Sequence, residues 1–174
     1  MKISHDLRIL SSGPRCGIGE ITLPSLQPGS SIMPGKVNPV ILEVAIQVAV
    51  QVIGNDTTVT LGGGLGVLEL NVMQPVMARN LLESVGLLSA STAMLASMCV
   101  AGIAPNRGRC AELIEQSLAM VTPLAVRIGY DKAADLAHEA FHGGKTIRAL
   151  LAEKGVLTAV EIERILDPRT MIGD

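Results

Sequence analysis

The amino-acid sequence predicts an all-α fold, in which long antiparallel helices of a helical bundle precede a small C-terminal helical domain. Hydrophobic residues make up 48% of the 174 residues but aromatic residues only 1%, so the core must consist of aliphatic side chains. Such a composition, with little strand-type alternation, favours packed helices. Charged residues become more frequent after residue 105. We therefore expect a partial helical bundle over residues 1–104 and a separate domain over residues 105–174.

Charge and cysteine content exclude several classes of function. The net charge is −2 and no basic block occurs, so a nucleic-acid partner is not expected. The three cysteines are odd in number and unevenly spaced, which favours a reducing compartment and predicts a cytoplasmic protein. His138 and His142 lie four residues apart, as helical metal ligands do, but no third histidine and no cysteine is near them in the sequence. We expect no metal site.

Two long helices are predicted before residue 105. Apolar spacing predicts a short helix over residues 1–10, then an irregular connection and a long helix over residues 40–60. Within that long helix, polar residues recur every fourth position and are uncharged after the first. This pattern fits a contact between helices of a large assembly better than a stripe facing solvent. The four polar residues are Glu43, Gln47, Gln51 and Asn55.

A glycine-rich break over residues 61–66 separates this helix from a second one, predicted over residues 68–100. The uncharged stretch 84–106 is long enough to cross a bilayer. However, its serines and threonine are more typical of a helix buried in a bundle, so we expect no membrane association.

Short helices are predicted after Pro105. One follows Asn106, and a connection is expected from Thr122. Another runs over residues 131–142 and ends at a Gly-Gly pair. Thr146 begins the next helix, and Thr158 begins the last with a capping box.

The loop over residues 28–39 has the composition of a functional segment. It contains three prolines and two glycines, so no regular helix or strand can continue through it. A hydroxyl pair (Ser30 and Ser31), a cation (Lys36) and an amide (Asn38) are its chemical groups. These groups suit a ligand with carboxylates, although serines in a loop are also ordinary turn residues.

The same loop, GSSIMPGKVNP at residues 29–39, resembles the signature loop of the fumarase/aspartase superfamily. Further motifs at residues 11–21, 54–56, 69–72 and 128–134 are similar to that family as well. The resemblance extends from residue 1 to about residue 171. Because family chains are much longer at the N-terminus, it implies that this chain is their C-terminal part.

The resemblance also implies roles for individual residues. Ser30 would be the base that removes a proton next to a carboxylate, while Ser31, Lys36 and Asn38 would bind the substrate. Glu43 matches a catalytic glutamate that pairs with a histidine of the N-terminal part. No metal or cofactor is implied. The substrate would be a C4-dicarboxylate (fumarate, malate or aspartate), and the complete enzyme would be a homotetramer.

Three interpretations of the activity stay open. Motifs at residues 101–106 and 128–134 favour a class II fumarase, which interconverts malate and fumarate. Motifs at residues 54–58 and 70–73 favour an aspartase, which removes ammonia from aspartate. The third interpretation is a non-catalytic helical assembly fragment. In each case we expect these 174 residues alone to be inactive.

Overall fold

The computed structural model describes residues 1–27, 29, 31–33 and 35–172. Within these residues the chain forms eight α-helices, short 3₁₀ segments and one small antiparallel strand pair, which confirms the predicted all-α class. The elements are α1 (Lys2–Leu10), β1 (Ile21–Thr22), α2 (Val40–Gly64), α3 (Gln74–Met98), β2 (Ala104–Pro105), α4 (Arg107–Gln116), α5 (Thr122–Ile128), α6 (Tyr130–Gly143), α7 (Ile147–Lys154) and α8 (Ala159–Ile165).

The chain separates into two compact units, Met1–Asn106 and Arg107–Asp174. Strand β2 pairs antiparallel with β1, and this pairing holds Ala104 and Pro105 in the first unit. The predicted division into domains over residues 1–104 and 105–174 concerns the complete protein and stays a prediction.

Helices α2 and α3 form an antiparallel hairpin in the first unit. Near the turn, Gly62 lies so close to α3 that an added Cβ would come within 2.7 Å of Cγ of Met77. Halfway along, Asn55 reaches Ser84, and at the far end Leu42 packs in one cluster with Cys99. The absence of a side chain at Gly62 therefore permits the close approach of the two helices.

The predicted boundaries between these helices are wrong. Helix α2 continues through the glycines to Gly64, and α3 begins at Gln74 instead of residue 68. The Asn71 side chain causes the late start, because it donates to the Gly62 carbonyl at 3.1 Å and accepts from the Met73 N–H at 2.8 Å. Leu68 also has a positive φ of 50°, which a helix does not allow.

A buried polar cluster joins α2 to α3. The Asn55 side chain is 3% exposed, and its Nδ2 donates to Oγ of Ser84 at 3.0 Å and to Oε2 of Glu83 at 3.1 Å. Its Oδ1 accepts from Nε2 of Gln51 at 2.8 Å. Asn55, the last member of the predicted polar stripe, thus makes an interhelical contact within the chain, and Gln51 of the same helix bonds to it.

The first unit buries few of its apolar side chains. Its buried cluster consists of Ile41, Leu42 and Cys99, and burial raises the pKa of the Cys99 thiol, which favours the uncharged form. By length and composition, Val40–Gly64 and Gln74–Gly102 are apolar enough to cross a membrane. Large apolar side chains are exposed along both, among them Val50, Ile53, Leu61, Leu81, Leu82 and Val85.

The second unit has a larger core, in which α5, α6, α7 and α8 contribute most of the buried residues. These are Met120, Leu124, Leu136, Ala140, Ile147, Leu150, Leu151, Ile162 and Leu166. The connection predicted from Thr122 is wrong, because Thr122–Ile128 is helical with a proline in its first turn, where the missing N–H costs no hydrogen bond. The caps at Thr146 and Thr158, and the end of α6 at Gly144, are as predicted.

Arg148 joins three helices of this second unit. Its guanidinium lies 3.0 Å from Glu115 and 2.6 Å from Glu163. Burial alone would lower the pKa of Arg148, but the hydrogen bonds and charges of the two carboxylates outweigh it and raise that pKa.

Candidate active site

The loop before α2 is closed by two hydrogen bonds around Gly29. Its N–H donates to the Lys36 carbonyl at 2.7 Å, and its carbonyl accepts from Nδ2 of Asn38 at 2.7 Å. An added Cβ on Gly29 would lie 2.5 Å from the Lys36 carbonyl oxygen, which is too close for any side chain. Glycine is therefore required where the two ends of the loop meet.

A tight turn brings Lys36 back toward Gly29. The Lys36 N–H donates to the Met33 carbonyl at 3.2 Å, and Gly35 within the turn has a φ of 80°, which favours glycine. After Asn38 the chain enters α2, where the Leu42 and Glu43 N–H groups donate to the Pro39 carbonyl at 3.1 and 3.2 Å. Hydrogen bonds thus connect the last residue of the loop to the first turn of α2.

A cavity of about 430 Å³ lies beside this loop in the first unit. Lys36 is its single charged lining residue among the described residues, and no Asp or Glu lines it there. Strand β1 contributes Thr22, and Asn106, whose N–H donates to the Glu20 carbonyl at 2.8 Å, lines another part. A cavity with one cation, hydroxyls and amides suits an anionic ligand.

The predicted site residues lie in different surroundings. Lys36 and Asn38 both line the cavity, Lys36 exposed and Asn38 half-buried. Ser31 is exposed, and neither Ser31 nor Glu43 is a lining residue in the part of the chain that the structure describes. Ser30, the predicted base, lies outside the described residues.

Glu43 makes an ion pair that the sequence did not reveal. Its Oε1 lies 3.3 Å from Nη2 of Arg8, which is in the last turn of α1. The two residues are 35 positions apart, so no local spacing connects them. The sequence indicated only that a basic residue lies near the end of a helix, and this position does not identify the acidic residue with which it pairs.

No group of three or more His, Cys, Asp or Glu side chains is arranged to hold a metal ion among the described residues. The loop itself offers hydroxyls, an amide and an ammonium group. Such groups bind and stabilise carboxylates and the charge that develops on them.

Two family models match the chain. The model described as "Lyase" matches residues 1–54, which include the whole loop, and the model described as "Fumarase C C-terminus" matches residues 120–173.

Individual relatives match over almost the whole chain. An aspartate ammonia-lyase of Pseudomonas fluorescens is 50% identical over 172 residues, and a class II fumarate hydratase of Yersinia pestis is 47% identical over 173. Each alignment covers 99% of this chain but only 36% and 37% of the relative. The solved fumarate lyase:delta crystallin of Brucella melitensis, in a cobalt-bound form, is 48% identical with a TM-score of 0.93, covering 99% of this chain and 37% of that one.

Proposed function

Since this chain belongs to the fumarase/aspartase superfamily of lyases and corresponds to the C-terminal part of its members, we propose that it carries the substrate-binding loop of a fumarate hydratase. The complete enzyme would interconvert malate and fumarate by removing and adding water. The observation that carries this proposal is the closed loop, which holds Lys36 and Asn38 on a cavity without acidic lining residues in the described part of the chain.

The reaction requires a base next to a carboxylate-binding site. Removing a proton beside a carboxylate creates a carbanion whose charge spreads onto the carboxylate oxygens. We assign Ser30 as that base, because the loop glycines, the start of α2 and Lys36 are features that favour an alkoxide. Lys36 and Asn38 would bind the substrate carboxylates, with the Ser31 hydroxyl as a further donor.

The leaving hydroxyl group needs an acid as well. Base and acid are separate roles, and one serine cannot fill both. We assign Glu43 to this second part of the catalysis, acting with a histidine from the rest of the complete protein. The 174 residues alone would then be inactive.

Aspartase activity is the second candidate. The aspartate ammonia-lyase and the fumarate hydratase named above are 50% and 47% identical to this chain. Sequence similarity therefore does not separate the two reactions. Both would use the same loop, because malate and aspartate differ only in the group that leaves. Direct comparison of the two substrates is therefore part of the test.

Helices α2 and α3 support a proposal about assembly. Their exposed apolar side chains include Leu82 at 71% and Val85 at 59%, and such surfaces are rarely left in water. We infer a homotetramer in which these helices pack together. We further propose that the protein is located in the cytoplasm. A helical assembly fragment without catalysis would show the same association but no turnover.

A chimaeric enzyme tests the function. This chain replaces the matching 173 residues of the Yersinia pestis fumarate hydratase, and fumarate formation is followed by ultraviolet absorbance. We expect turnover of malate, little turnover of aspartate, and none from the isolated chain. Ser30→Ala should lower kcat by about 10²-fold or more, because it removes the base.

The control for Ser30→Ala is Ser97→Ala, which removes an exposed hydroxyl bonded within its own helix and should leave kcat unchanged. Faster turnover of aspartate than of malate would select the aspartase. A folded chimaera that is inactive with both substrates would support the assembly fragment instead.

A further inference from the structure

Arg8 and Glu43 are brought together by the apolar contact beside them. Leu7 packs against the buried cluster that contains Leu42, which is fully buried. Arg8 and Glu43 each follow one of these leucines in the sequence. The packing of α1 on α2 therefore sets the position of the guanidinium relative to the carboxylate.

The backbone of each partner of the ion pair is fixed by a local hydrogen bond. The hydroxyl of Ser11 donates to the Arg8 carbonyl at 3.1 Å, and the Glu43 N–H donates to the Pro39 carbonyl at 3.2 Å. A cation in the last turn of α1 and a carboxylate in the first turn of α2 each interact favourably with the helix dipole. Glu43 is thus fixed to the last residue of the loop.

The pair contributes little to folding stability. The side chains are 39% and 33% exposed and 3.3 Å apart, and ion pairs with this degree of exposure are weak. Only Oε1 of Glu43 is bonded to Arg8, and no described residue donates a hydrogen bond to Oε2. One carboxylate oxygen is occupied while the second stays available.

From this geometry we propose that Arg8 is a positioning residue for Glu43. This role rests on the proposed function: Arg8 binds Oε1 of Glu43 and thereby fixes the rotamer of the carboxylate. Oε2 then accepts a hydrogen bond from the proton-carrying group of the complete site. Arg8 itself does not touch the substrate.

The test uses the complete chimaeric enzyme and a double-mutant cycle. Arg8→Met removes the charge and keeps most of the side-chain length, and Glu43→Gln removes the carboxylate charge. We expect Arg8→Met to lower kcat about tenfold with KM changed less than about twofold, because the substrate-binding groups are intact. The thermal midpoint should stay within about 2 °C, since the pair is exposed.

Two further variants separate positioning from a structural role. Arg8→Lys restores a cation and should recover most of the lost kcat. Adding Arg8→Met to Glu43→Gln should cause no further loss, because Arg8 acts only through the carboxylate. As a matched control, Lys154→Met breaks the 2.7 Å ion pair with Glu139 in the second unit and should leave kcat unchanged.

Three results would overturn the inference. The first is full kcat in Arg8→Met when Glu43→Gln is impaired. The second is a kcat of the double variant that is reduced by the product of the two single reductions. The third is a drop in the thermal midpoint of Arg8→Met that Arg8→Lys does not correct. Full kcat in Glu43→Gln would remove the role of Glu43 and this inference together. Full kcat in Ser30→Ala instead contradicts only the base of the proposed function, so the two failures are distinguishable. An inactive starting chimaera would contradict both.

Discussion

Lys36 and Asn38 are both predicted to bind the substrate, but the Asn38 side chain also closes the loop. The Asn38 amide donates to the Gly29 carbonyl and closes the loop, whereas Lys36 contributes to that closure only through its backbone. The proposed substrate binding and the loop conformation are therefore separable at Lys36 and coupled at Asn38.

This difference predicts two distinct mutant phenotypes in the chimaeric enzyme. Lys36→Ala should raise KM and lower kcat while leaving the thermal midpoint unchanged, because an exposed ammonium is removed from a loop that stays closed. Asn38→Ala should impair kinetics and also destabilise the protein by about 1 kcal/mol through the lost hydrogen bond. Steady-state kinetics and thermal unfolding measure both. Equal stability loss in the two variants would show that the loop closure is described wrongly.

Asn55 is the main polar contact between the two long helices. Asn55 is 3% exposed and its side chain is bonded to Gln51, Glu83 and Ser84, so its removal leaves the buried Ser84 hydroxyl without this partner. On helices that are otherwise apolar, such a contact also selects one register out of several similar ones.

Asn55→Ala should lower the free energy of unfolding by about 1–3 kcal/mol, measured by urea denaturation. The matched control is Thr57→Ala on the same helix. Thr57 is exposed and its hydroxyl donates only to the Ile53 carbonyl, so this change should stay within about 0.5 kcal/mol. Similar losses in both variants would argue against an interhelical role for Asn55.

The start of α8 has a pH-dependent cap. The backbone N–H and the hydroxyl of Thr158 donate to Glu161 and are the main causes of its lowered pKa. Burial opposes them, and the charges of Arg127 and Arg164 lower this pKa by smaller amounts. A carboxyl whose pKa is lower in the folded state stabilises that state above its unfolded pKa. The contribution is lost as pH falls through the folded pKa.

Glu161→Gln should therefore be less stable than the unmodified chain at about pH 7, and the difference should shrink as the pH falls below the unfolded pKa of a glutamate and through the lower folded pKa of Glu161. Glutamine keeps the shape of the capping residue but carries no charge. The pKa values of Glu153 and Asp167 are also lowered, by Lys145 and Arg169, but these groups are the same in both proteins. Thermal midpoints across the pH range measure the effect, and a constant difference would contradict it.

At the scale of the whole molecule, the two units differ in how well they bury apolar surface. Among the described residues, nine form the buried core of the second unit, whereas the buried cluster of the first unit has three. Apolar side chains along α2 and α3 remain exposed instead. This exposure supports the proposed packing of further protein surface against the long helices of the first unit.

We expect the chain to self-associate at about micromolar concentration, as measured by light scattering. Leu82→Glu should weaken this association, because it places a charge on the exposed apolar side of α3. Val126→Glu is the control, since Val126 is 92% exposed on the short helix α5 and should not affect assembly. A stable monomer at this concentration would contradict the expectation.

By itself, the sequence determined the features that depend on neighbouring residues. The all-α class follows from aliphatic composition, and the caps at Thr146 and Thr158 follow from side chains that bond three residues ahead. The chemical groups of the loop were also readable, because glycine, proline, lysine and asparagine limit what the segment can do.

Only the tertiary structure decided which distant groups meet. Helix α3 begins late because Asn71 bonds back to α2, and Asn55 is buried because Ser84 lies opposite it. Arg8 reaches Glu43 across 35 residues because two leucines pack in one cluster. Such contacts depend on the packing of whole helices, and a pattern read within one helix carries no information about its partner.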